Sequence, residues 1–531
     1  TGQSRWCEAS RRSEEMPSGR AAALATAAGY SRWERAEQKI LQASAPPGVP
    51  AAGGPSEDGA WSLLDLTAPI RSQIFFNMVV DLLCYSGANE VNAHLDTIRC
   101  VCRELRDQID EECLTFNYDD ACGLGGAVGG EHEEMKLLSC WIRRHPRLKY
   151  FECLLRSANK FRALLEVLEL PKTTGCSFVL EFKASPEEVR HLLQRFRVRR
   201  LSVIPDEGRE GAAGSRGAGG AEGCSAAAVR QSAWLSLPDN GLRMLCLRSC
   251  SDEIVRSFVA SSPRLQGLQI IDSRLLSDPG VASSCLTSLS LTGVCTMPDE
   301  QFGRLIGACR VLRSLYISKC HVAHVAVALP HLELLSVTHC RQLTDDCVTE
   351  LLQPGNNPAL RFLDLTEDRG LLSPNIAHPG LEIAWLMHCP QLTDHAVSQL
   401  FQSCPSLTAA NLVQSSVENS LICSPALRTL ELTTSQKLTD DAVTQLLQHC
   451  PSLLFLDVGH CCQLLEPRLA HPSLETVLLS FCVNLRESAI VGLFANCPSL
   501  RYVELAVCMF DMTRFQRECG PNCQVVVNFD F

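Results

Sequence analysis

The sequence predicts an α/β solenoid: a curved parallel sheet of alternating long helical and short repeats, preceded by a small N-terminal helical domain. Three observations carry this. A pattern L-x-x-L-x-L recurs twelve times, its spacing alternates between two lengths, and cysteines recur at fixed places within the units. Self-similarity of this kind decides the architecture before any single motif does.

The first leucines of the twelve copies fall at 242, 265, 286, 312, 332, 360, 381, 407, 427, 453, 474 and 500. From 286 onward the spacings run 26, 20, 28, 21, 26, 20, 26, 21, 26, so the unit is a pair of repeats. Side chains alternate along a strand, so the second and third leucines face one way and the residues between them the other. One such strand cannot bury its leucines alone. Stacked copies form a continuous core, each buried leucine contributing roughly 1.5–3 kcal/mol.

The long spacings leave room for a return helix. In "LTDDAVTQLLQHC", Val443, Leu446 and Leu447 recur at helical spacing behind a Thr-Asp-Asp start that can cap exposed N–H groups. The short spacings, such as "CCQLLEPRLAHP" and "QSSVENSLICSP", contain prolines and are expected to return by turns.

The chain has 29 cysteines. Cys250, Cys320, Cys340, Cys389, Cys461, Cys482 and Cys508 close the strand motif, and Cys309, Cys404, Cys450 and Cys497 close the long returns. No C-x-x-C pair offers a zinc clip, and Cys519-x-x-x-Cys523 alone is weak evidence for one. Reduced, buried structural thiols are expected.

"LTDDAVTQLLQHCPSLLFLDVGHC", from Leu438, resembles the cysteine-containing leucine-rich repeat, whose pattern includes L-T-D, C-P-x-L and L-x-L-x-x-C. The resemblance covers roughly residues 242–510, although the alternation of unit lengths departs from the usual uniform period. Members of that subtype are frequently substrate receptors of cullin-RING ubiquitin ligases, with an F-box ahead of the repeats. Here Leu66, Ile70, Ile74, Phe75 and Met78 fall on the first F-box helix pattern, and "VCRELRDQI" from Val101 on a later one. Thr67 stands where the family has Pro, Arg71 where it has an aliphatic residue and Leu105 where it often has Trp; the gap between the two patterns is longer by about ten residues. The resemblance implies that these five residues dock a Skp-type adaptor. Helices that merely cover the end of the solenoid remain the alternative.

Solenoids bind along the open sheet face. The residues between the second and third leucines are Tyr316, Ser336, Asp364, Trp385, Asn411, Glu431, Asp457, Leu478 and Glu504, four of them acidic. Ile383 and Met387 flank Trp385, with Phe362 one strand earlier and Phe455 further on. An aromatic anchor with flanking charge suits a protein-binding hot spot, and the acidic residues suit a basic protein or peptide segment. A solvated sheet face is the bland alternative.

The net charge of −11 and pI of about 5.7 offer nothing global to nucleic acid or an anionic membrane. Residues 136–200 hold 15 Lys or Arg against 6 Asp or Glu, ending in "RFRVRR", yet without a recognisable nucleic-acid module. No apolar run spans a bilayer and no signal core opens the chain, so a cytoplasmic or nuclear location is expected. The first residue is Thr rather than Met, as in a fragment.

No catalytic constellation stands out: there is no G-x-S-x-G, H-E-x-x-H or Walker loop. His321 and His324 of "HVAH" read as a repeat turn, and His378 and His471 as repeat-consensus positions. A non-catalytic protein without metal or cofactor is expected.

The expected organisation is a disordered tail and linker (1–60), an F-box-like helical domain (61–120), a glycine-rich loop (121–135) and irregular leading repeats or a cap (136–204). A flexible insertion (205–233), the solenoid (234–510) and a C-terminal cap (511–531) follow.

Overall fold

A computed structural model describes residues 115–119, 130–143, 148–206 except 171, 234, 237–506 except 275, 282, 325–327, 354 and 419–420, and 523–526. All belong to one unit, Phe76–Phe531.

Seventeen strands form a single sheet. They are β1 (Thr115–Asp119), β2 (Tyr150–Leu155), β3 (Gly175–Ala184), β4 (Val198–Pro205), β5 (Met244–Arg248), β6 (Gly267–Ile271), β7 (Ser288–Thr292), β8 (Ser314–Ser318) and β9 (Leu334–Thr338). The three-residue strands β10 (Phe362–Asp364), β11 (Ile383–Trp385), β12 (Ala409–Asn411), β13 (Thr429–Glu431), β14 (Phe455–Asp457), β15 (Thr476–Leu478), β16 (Tyr502–Glu504) and β17 (Gln524–Val526) follow. Each strand pairs in parallel with the next one in the chain. With the buried leucine columns, this is a leucine-rich repeat solenoid.

The sheet starts earlier than the leucine motif. Thr115–Asp119, inside the segment expected to be helical, is a strand paired with β2. Helix α1 (Gly130–Arg143) starts within the expected glycine-rich loop. Within 136–204, β2 to β4 continue the sheet with α2 (Ala158–Val167) and α3 (Pro186–Arg195) between them. Ser185 caps α3 in a capping box with Glu188, as Ser-Pro-Glu-Glu predicts. At the other end, Gln524–Val526 of the expected cap adds a strand to β16.

The long units return through helices α4 (Asp252–Ser261), α5 (Asp299–Gly307), α6 (Asp345–Leu351), α7 (Asp394–Ser403), α8 (Asp440–His449) and α9 (Glu487–Asn496). Among the described residues the short units return without a helix. In each pair the first leucine and the two strand leucines are buried, as at Leu427, Leu430 and Leu432.

The L-T-D sequence has two jobs. Thr344, Thr393 and Thr439 each accept a helix N–H, from Cys347, Ala396 and Ala442. The following aspartate reaches forward to the next unit. Asp440 accepts the N–H groups of Leu465 and Glu466 at 2.9 and 2.8 Å, and Asp345 those of Leu372 and Ser373. Backbone donors at a helix start and in a turn are thereby satisfied.

The residue before each closing position adopts positive φ: Ser249, Asp272, Gly293, Lys319, His339, Glu367, His388, Gln414, Thr434, His460 and Phe481. All but Gly293 carry a side chain, for which this conformation costs roughly 1–2 kcal/mol. Each N–H is committed to the next unit; His460 donates to Ser480 and Phe481 to Ala506, both at 2.8 Å. The turn thus extends the sheet's hydrogen bonding past the strand ends.

The closing thiols sit behind these turns. Cys461 donates to the carbonyl of Leu432 at 3.4 Å and Cys482 to that of Val458 at 3.1 Å. The second cysteine column donates to the carbonyls of short returns, Cys404 to Ile376 and Cys450 to Ile422. Burial pushes Cys340, Cys389 and Cys461 up to about 12, so these thiols are structural and inert.

Candidate functional site

The outward face of β8 to β16 gathers the residues expected to bind. Strand register aligns Tyr316, Ser336, Asp364, Trp385, Asn411, Glu431, Asp457, Leu478 and Glu504 in one row across the sheet. A second row, two residues earlier, places Phe362 beside Ile383 and Phe455 beside Thr429 and Thr476.

Phe362 and Trp385 are brought together. Their ring centroids lie 4.8 Å apart with planes at 76°, an edge-to-face pair on a half-buried surface. Ile383 is the direct neighbour of Phe362, and Met387 follows Trp385 on the same side, both half-buried. Tyr316 stands three strands away and is 37% exposed. Phe362, Ile383, Trp385 and Met387 form an apolar step, continued by Leu334 and Ala409, the cross-strand neighbours of Phe362 and Ile383.

The acidic residues are not equivalent. Asp364 is only 8% exposed, and its carboxylate accepts the Ser336 hydroxyl at 3.0 Å and the Thr366 N–H at 3.0 Å. Its role is to fasten β9 to β10, which sequence position alone does not reveal. Glu431, Asp457 and Glu504 remain half-exposed. Glu431 accepts the Asn411 amide at 2.7 Å, Asp457 the Gly459 N–H at 2.8 Å and Glu504 the Ser480 hydroxyl at 2.8 Å. Glu431 and Asp457 are direct cross-strand partners. Desolvation, followed by the charge of Asp457, pushes the Glu431 carboxyl up to about 7. Adjacent like charges destabilise a sheet face unless something between them compensates.

The sequence reading missed the opposite end of this face. Arg200 on β4 and Arg248 on β5 are exposed, and Met244 lies over Gly267, where an added Cβ would sit 2.4 Å from its sulfur. Only strand register, absent from the sequence, places them on the face of Trp385. Part of the basic run between 136 and 200 is ion-paired, as Arg162 with Glu188 at 2.7 Å and Arg156 with Glu181 at 3.1 Å.

His378 and His471 are buried, each with Nε2 near a backbone carbonyl, Asn357 at 3.0 Å and Cys450 at 2.9 Å. His324 sits 3.3 Å from Glu350 on the surface. Among the described residues no group of three or more His, Cys, Asp or Glu could hold a metal, and no helix is long and apolar enough to cross a membrane. Leu66, Ile70, Ile74, Phe75 and Met78 lie outside the described residues.

No protein-family model matches the chain, and no curated protein matches it. A crystal structure of the Rad7 and Elc1 complex in yeast is 13% identical, covering 96% of this chain and 98% of that chain, with a TM-score of 0.31. A likeness at that level carries no argument about this chain.

Proposed function

We propose that this chain is a protein-interaction module that holds a protein partner on the outward face of β8 to β16. We further propose that it is the substrate-recognition subunit of a cullin-RING ubiquitin ligase acting in the cytoplasm or nucleus. The observation that supports docking is the Phe362–Trp385 step with Ile383 and Met387 beside it, a half-exposed apolar surface on a rigid sheet. The chain supplies geometry, and its partners supply the chemistry. The ligase role rests on the resemblance of residues 61–120 to an F-box, in which Leu66, Ile70, Ile74, Phe75 and Met78 face a Skp-type adaptor.

The test is co-purification of the full chain with a Skp-type adaptor, beside the double substitution Ile74→Asp/Phe75→Asp. The full chain is needed because Thr115–Asp119 belongs to the sheet. Adaptor binding by the parent, lost in a variant with unchanged circular dichroism, supports the ligase role. Absence of binding by the parent leaves a leucine-rich repeat scaffold without a ubiquitin connection, and equal binding by both overturns the assignment of the adaptor contact to Ile74 and Phe75.

A further inference from the structure

Building on the docking reading, the geometry points to an extended protein segment as the occupant, with an aromatic or large aliphatic anchor on Phe362, Ile383 and Trp385. We infer that it carries an arginine three or four residues away, seated between Glu431 and Asp457 over Phe455.

Three features of the face lead there. The first is composition. Glu431 and Asp457 face each other across β13 and β14, and Phe455 precedes Asp457 by two residues, on the same side of β14. Two carboxylates beside an aromatic ring complement a guanidinium: the N–H fork donates to the carboxylate oxygens while the flat cation stacks on the ring. Lysine, a compact point charge, uses only part of this arrangement.

The second is distance. Trp385 lies on β11, two strands from Glu431 and three from Asp457. At about 4.8 Å per strand, the anchor and the acidic pair are about 10–14 Å apart. A segment crossing the strands at about 3.3 Å per residue covers that in three or four residues.

The third is direction. Beyond Trp385 toward β4 and β5 the face carries Arg200 and Arg248, whereas toward β16 it carries Glu504. Within three strands of Trp385 along this row, a basic side chain finds Glu431 and Asp457 on the β13 side, whereas on the β8 side it finds Ser336 and Tyr316, with Asp364 already holding the Ser336 hydroxyl and the Thr366 N–H. Desolvation first, and the charge of Asp457 second, raise the Glu431 carboxyl, and a cation seated between the two carboxylates offsets the second of these.

The test uses an array of immobilised twelve-residue peptides on a Gly/Ser background. Each holds one Phe and one Arg, with the Arg moved from two to eight positions away on either side; matched sets carry Lys or Glu instead. Labelled full chain is applied as the parent, as Trp385→Ala and as Glu431→Gln/Asp457→Asn, each shown to be folded by circular dichroism. Expected is a maximum for Arg three or four residues from Phe, with a weaker Lys response and a tenfold or greater loss in the Glu431→Gln/Asp457→Asn variant. Equal binding at every spacing, or equal binding of the Glu set, overturns the arginine assignment while the docking reading stands. Binding of no peptide above the level of Trp385→Ala overturns the docking reading as well.

Discussion

The carboxyl of Asp368 accepts the backbone N–H of Cys340 at 2.6 Å, from a position that the other units fill with a cysteine or serine, apart from Val294. Asp368 is 0% exposed, and burial pushes its carboxyl up to about 8, with Asp364 and Glu367 adding to the effect and the Cys340 N–H opposing it. Cys340 and Cys389, whose own thiols are pushed up to about 12, lie within its electrostatic reach. The folded chain therefore holds a proton that the unfolded chain releases near the ordinary carboxyl range.

Its consequence for stability has a definite sign. Because the folded-state pKa is raised, the contribution of this group to stability is fully present below about pH 4, is lost as pH rises toward 8 and is level beyond. Asp368→Asn keeps an acceptor for Cys340 and removes this dependence. Urea unfolding at pH 5 and pH 8 should show a smaller difference for the variant than for the parent, with a gain of about 1–3 kcal/mol at pH 8. A parallel pair of curves would refute a protonated Asp368.

How much of this was legible in the sequence follows from what each signal encodes. L-x-x-L-x-L encodes burial, so the strands from Met244 to Glu504 and the alternating returns could be read directly. β1 reads Thr-Phe-Asn-Tyr-Asp and has no aliphatic alternation, so it was invisible. The row from Tyr316 to Glu504 was placed on its face, but Asp364 shows that facing outward differs from being available. The left-handed turns escaped notice because glycine, the usual signal, marks only Gly293 among them.

Thr434 is a β-branched residue at φ 62° in such a turn. Thr434→Gly relieves the Cβ strain and keeps the N–H bond to Gly459. The variant should be more stable by about 1 kcal/mol, read from the urea midpoint. Thr434→Pro removes that donor and should be strongly destabilising.

Cys461 packs with 0% exposure and its thiol donates a hydrogen bond to the Leu432 carbonyl. Cys461→Ala opens a void and removes one of two hydrogen bonds to the Leu432 carbonyl, which keeps the Ser435 N–H, costing about 1–2 kcal/mol. Cys461→Ser should cost less, since Ser415 and Ser435 serve at the equivalent turn. Alkylation mapped by mass spectrometry should find exposed Cys285 modified long before Cys461, with the difference abolished in urea.

Asp440 ties α8 to the return that follows β14 through two N–H groups. Asp440→Ala leaves both without this acceptor and should cost about 1–3 kcal/mol, whereas Asp440→Asn should retain part of the effect. Hydrogen exchange is the sharper readout. Protection at Leu465 and Glu466 should fall well before that of the strand leucines.

Because sheet order repeats chain order, no strand is interleaved between two distant ones. Length is therefore an adjustable property of this architecture. Duplicating or deleting one helix-plus-turn pair would preserve the neighbour rule at both new junctions, while moving whatever lies beyond it by a fixed stride. On the outward face, the separation between the Trp385 step and the Glu431–Asp457 pair is then a ruler set in whole strands, and changing the number of units between them changes what length of partner is measured.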